Sequence, residues 1–110
     1  MIKSLGQFRD AIGFTVLTAP DRFPKIGAFG DDQQENLDVA FERLRTGLVF
    51  LPNRLRESAL MPQIENLLAD SYSAYAAGDR KQGAHLLQEL QDIVNPGRFV
   101  EYAARKDISL

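Results

Sequence analysis

The chain has 110 residues, an ordinary apolar fraction and a quarter of its residues charged, which fits one globular domain over residues 1–110 with a core of its own. It has no cysteine, which excludes disulfides, thiolate metal sites and a cysteine nucleophile. The net charge of −2 gives no global attraction to nucleic acid or to an anionic membrane.

The opening "MIKSLGQFRD" lacks an apolar stretch of signal-peptide length, and no run approaches the roughly 20 apolar residues of a membrane span. A cytoplasmic protein is expected. Ser4 with Gln7 reads as a capping box, and Leu5, Phe8, Ala11 and Ile12 follow at helical spacing. The first helix therefore runs from about Ser4 to Gly13, with an extension to Leu17 left open. In the continuation "GFTVLT", Phe14, Thr15 and Val16 suit a strand as well as a helix.

"TAPDRFPKIGAFGD", residues 18–31, carries two prolines and two glycines and reads as a long loop. Its Phe23, Ile26 and Phe29 predict that it is pinned to the core. Asp31 or Asp32 caps the next helix, in which Leu37, Phe41, Leu44, Leu48 and Leu51 form an apolar stripe up to Pro52. A short strand "GLVFL", residues 47–51, paired with "GFTVLT" is the competing reading. A third helix starts near Ser58 or Met61 and tolerates Pro62 in its first turn, with Ile64, Leu67, Leu68, Tyr72 and Tyr75 as its apolar side. Gly78 ends it and Asp79 caps a fourth, whose stripe is Ala84, Leu87, Leu90 and Val94, flanked by Leu86 and Ile93. "NPG" at 95–97 stops that helix, and "RFVEYAARK" predicts a short last one burying Phe99, Val100 and Tyr102. The expected fold is all-α, a compact bundle of about four to five helices around a helical hairpin joined at Gly78-Asp79.

The hairpin "AYAAGDRKQGAHLL" looks like the joint of a tetratricopeptide repeat: a glycine closes one helix, an aspartate caps the next, and a small residue lets the backbones approach. Such scaffolds repeat about every 34 residues. That far upstream stand Leu44 and Arg45, inside another helix, so no second copy exists. Bundle metal sites need Glu-x-x-His pairs. The single histidine, His85, is preceded three places earlier by Gln82, an amide. No metal or cofactor is expected. No Gly-x-Ser-x-Gly elbow and no glycine-rich phosphate loop occurs, and carboxylates on a polar helix face lack the apolar pocket that acid–base chemistry requires. The chain does not read as an enzyme. Arg43, Arg45, Arg54 and Arg56 gather around Pro52, but Arg43 and Arg45 point to different sides of a helix and Glu42 and Glu57 interrupt the group. Nucleic acid is not an expected partner.

Charge is unevenly distributed. From Ile26 to Glu42 there are five acids and no lysine or arginine, whereas the rest of the chain carries ten acids and thirteen bases. Asp31, Glu35, Asp38 and Glu42 fall at i, i+4, i+7 and i+11, one face of a helix lateral to the apolar stripe. Such a face reads either as a solvated surface or as a docking surface that steers a basic partner. Phe23 and Phe29, just before it, are candidate apolar anchors for that partner.

The stretch "AYAAGDRKQGAHLLQELQDIVNPGRFVEY" is similar to small all-helical bacterial immunity proteins, a resemblance that covers about residues 62–105. It rests on the Gly-Asp joint, the Gly-Ala-His-Leu-Leu run and the Asn-Pro-Gly-Arg-Phe stop. The resemblance implies a cytoplasmic antidote that blocks a toxin through a one-to-one, tight, non-catalytic complex; the chain itself is expected to be a monomer or small homo-oligomer. Toxins of this kind are often nucleases, whose basic grooves suit an acidic helix. The other reading is a helical adaptor, small chaperone or regulatory domain that binds another protein.

Overall fold

The computed structural model describes residues 2–95 and 98–110, and every regular element in them is helical. Ser4 opens α1 (Leu5–Thr18) by accepting from the Gln7 N–H at 3.1 Å. The Gln7 side chain reaches back one residue further than a capping box requires and accepts from Lys3 N at 2.8 Å. "GFTVLT" continues this helix. Its threonine hydroxyls donate to carbonyls four residues back, Thr15 to Ala11 and Thr18 to Phe14, each at 2.8 Å, so these β-formers are satisfied within a helix. The strand reading is thereby overturned.

Asp32, not Asp31, caps α2 (Gln33–Gly47), accepting from the N–H groups of Gln34 and Glu35. Leu37, Phe41 and Leu44 are buried as the stripe predicts, and the chain then tightens into a 3₁₀ turn, Leu48–Phe50, before Pro52. Gly47 has a packing reason. A Cβ there would lie 2.6 Å from the Phe8 ring, so the aromatic side chain of α1 packs onto the bare backbone of α2.

A one-turn helix that the apolar pattern did not announce, α3 (Asn53–Arg56), leads to α4 (Leu60–Ala76). The Ser58 hydroxyl accepts from Leu60 N at 3.1 Å where α4 begins. Gly78 ends the turn after α4 with φ of 85°, and Asp79 caps α5 (Arg80–Val94) through Gln82 N at 3.1 Å. The small residue that brings α4 and α5 together is Gly83. The Tyr75 ring lies where a Cβ would sit, 2.7 Å away, and the Ser71 hydroxyl donates to Gly83 O at 2.8 Å.

Asn95 follows α5 directly; Pro96 and Gly97 of the expected stop lie outside the described residues. In α6 (Phe99–Arg105) the buried residues are Tyr102 and Ala103, whereas Phe99 is half-buried and Val100 exposed. The helix is fastened by Tyr102, whose hydroxyl donates to Glu89 at 2.9 Å and accepts from Gln63 at 3.2 Å, which selects the Tyr102 side as the inner one. The four longer helices close a ring: α4 packs on α5, α5 on α1, α1 on α2, and α2 on α4. One apolar core fills it, with members from Ile2 to Ala103 and from the loop before α2. None of these helices is long and apolar enough to cross a membrane.

Candidate functional site

The loop preceding α2 is held by side chains of the first turn of α2. Gln33 clasps Phe23 from both sides, accepting from its N–H at 2.9 Å and donating to its carbonyl at 3.1 Å. Asn36 does the same to Gly30, at 2.8 and 2.9 Å. Between the clasps the Phe23 and Phe29 rings stack 5.1 Å apart, and Phe14 of α1 closes the cluster at 6.2 and 5.6 Å. Both loop rings are buried, at 3% and 8% exposure, so they belong to the core and do not stand out as anchors. Ile26 is the loop side chain left outside, 62% exposed, contrary to the expectation that it is pinned.

The four acids of the stripe divide. Asp31 precedes the cap and stands off the helix, paired with Lys25 at 2.5 Å. Glu35, Asp38 and Glu42 share the exposed edge of α2. Glu35 has no ion-pair partner among the described residues. Glu42 meets Arg45 at 3.0 Å. Asp38 accepts a hydrogen bond from the Tyr72 hydroxyl of α4 and another from Gln34 at 3.2 Å. The carboxylate of Asp38, by accepting that proton, raises the pKa of Tyr72 above the ordinary phenol value. The stripe is therefore relieved by two cations just beyond the ends of the cation-free stretch, Lys25 and Arg45, and by a phenol from another helix. Val49, in the 3₁₀ turn after α2, is 59% exposed.

On its other flank α2 walls an open apolar cleft of about 750 Å³. Ile2, Ala11 and Phe14 line it from the N-terminal segment and α1, Ile26 and Phe29 from the loop, and Val39 from α2. Arg43 lies in it with its guanidinium over the Phe29 ring, 5.7 Å from the centroid. The Arg43 Nε is buried and has no hydrogen-bond partner among the described residues. Three distant segments build this cleft, so no local motif in the chain signals it.

The other arginines near Pro52 disperse. Arg45 serves Glu42, Arg54 stacks on Phe99 at 5.4 Å, and Arg56 turns toward Val49 O. They present no common cationic face. His85 is exposed, and no group of three or more metal-ligating side chains occurs among the described residues. No protein-family model matches the sequence, and no similar curated protein or solved structure is found.

Proposed function

We propose that this domain works by binding another protein, as an immunity-type inhibitor of a bacterial toxin, with the Glu35–Asp38–Glu42 edge of α2 as its docking surface for a basic partner. The observation that carries the reading is the state of these three carboxylates. All three are exposed, and the central one is fixed in place by Tyr72. A carboxylate already held in position loses less freedom when a partner arrives. The Arg45–Glu42 pair is solvent-exposed, and an exposed pair contributes so little that an incoming arginine or lysine displaces Arg45 cheaply. Asp31 precedes the Asp32 cap and so stands off the helix, which leaves Glu35, Asp38 and Glu42 as the edge. Phe23 and Phe29 contribute by fixing the loop beside α2, and the Tyr72 ring offers the apolar contact.

The test uses a toxin domain encoded beside this gene. Co-expression should abolish toxicity and yield a stable one-to-one complex. Glu35→Lys with Glu42→Lys should slow association roughly tenfold and flatten its salt dependence, because steering acts on the encounter rate. Each surface change should shift stability by less than about 0.5 kcal/mol. Asp38 is left in place because it ties α2 to α4. A neighbourhood without a toxin or secretion gene, or a toxin indifferent to the protein, defeats the reading. Neutralisation that ignores the double reversal moves the interface elsewhere.

A further inference from the structure

The cleft between α1, α2 and the loop carries a feature that neither folding nor the acidic edge uses. Its walls are apolar, and it holds Arg43, whose Nε is buried without an acceptor among the described residues. Arg43 makes no ion pair among those residues either, although the chain has acids to spare. A guanidinium always carries its charge and offers a planar fork of donors that matches a carboxylate. The Arg43 Cζ lies 5.7 Å from the centre of the Phe29 ring, which forms part of the cleft wall.

We propose that this cleft is a binding site for a small apolar monocarboxylic acid, with the carboxylate on the terminal guanidinium nitrogens of Arg43, which have no hydrogen-bond partner among the described residues, and the hydrocarbon body between Phe14, Ile26, Phe29 and Val39. The volume of about 750 Å³ is within the range of small-molecule sites, which are mainly apolar with a few polar groups that orient the ligand. A peptide fits the walls less well. It would bring backbone N–H and C=O groups that need partners, and the helices that form the walls have already used theirs. One carboxylate is specified because, among the described residues of the lining, Arg43 is the one cation. The site lies on the flank of α2 away from Asp38 and Tyr72, so it stands or falls independently of the inhibitor reading.

Titration calorimetry with the whole protein decides it, using decanoate, decan-1-ol and decanedioate as probes. Decanoate should bind at one site per chain, with roughly tenfold or higher affinity over decan-1-ol, the margin expected of a charge-assisted hydrogen bond. Decanedioate should bind more weakly than decanoate. Arg43→Gln should bring decanoate and decan-1-ol within about twofold of each other, whereas Arg43→Lys should keep part of the preference for the acid. Val39→Glu should weaken decanoate binding more than decan-1-ol binding. Absence of decanoate binding, equal affinity for acid and alcohol in the wild type, or an Arg43→Gln variant that keeps the preference each overturns the site. If Arg43→Gln fails to fold, the wild-type probe series decides alone.

Discussion

Tyr75 is the residue on which the hairpin turns. Its ring covers the bare backbone of Gly83, while its hydroxyl is buried without a hydrogen-bond partner among the described residues. Burial pushes its pKa up to about 12, against a smaller opposing pull from Arg80. The sign of the consequence follows from linkage. An unfolded tyrosine releases its proton near pH 10, whereas the folded one keeps it to about 12. The stability held by the neutral phenol is complete below about pH 10 and drains away as pH rises toward 12, by about 2–3 kcal/mol. Tyr75→Phe keeps the ring and removes the orphan hydroxyl. It should hold or raise stability at pH 8, by up to about 1 kcal/mol, and lose less than the wild type between pH 9 and 11. Urea unfolding across that range is the measurement, and an identical alkaline slope in the two proteins would refute the assignment. Gly83→Ala should cost about 1–3 kcal/mol, because the Tyr75 ring must move for a methyl group to enter.

Among the elements, the hairpin was the most legible because each of its signals is local: a glycine in a left-handed turn, an aspartate beside it, and apolar residues three and four apart. "GFTVLT" and "GLVFL" were ambiguous because their β-branched and aromatic residues favour strands in isolation. Threonine back-bonding settled the first, and the seating of Phe8 on Gly47 fixed the helix leading into the second. The acidic edge was legible as a pattern, but its partners were not. Lys25 pairs from within the loop, and Tyr72 arrives from thirty-four residues away. The clasps were illegible for a similar reason. Gln33 and Asn36 look like ordinary polar helix residues until the loop folds back over them. Asn36 is buried and bonds both backbone groups of Gly30, so Asn36→Ala should cost about 1–3 kcal/mol through the loss of two hydrogen bonds. Thermal melts of Asn36→Ala and Gln34→Ala compare a clasp with an exposed neighbour. Equal melting temperatures would mean that the loop holds itself in place.

At the scale of the molecule, the question is whether the long loop is an appendage or part of the fold. Its aromatic residues join the same apolar core as Leu87 and Leu90 of α5, and Phe14 of α1 packs against both loop rings. A shared core makes loss of the loop packing a cost to every helix in the ring. Phe23→Ala should therefore lower global stability by about 3–5 kcal/mol, similar to Leu87→Ala, and the protein should still unfold in one transition. An appendage behaves differently: removing its ring would speed hydrogen exchange in residues 19–32 and leave the midpoint of unfolding almost unchanged. The same pair of measurements separates the two roles open to Phe23. A ring that anchors a partner can be removed without harming the free protein, whereas a core ring cannot. With its 3% exposure and its stack against Phe29, Phe23 should register in the unfolding midpoint, and Glu35→Lys with Glu42→Lys should not. A Phe23→Ala protein as stable as the wild type would detach the loop from the core and, with it, one wall of the Arg43 cleft.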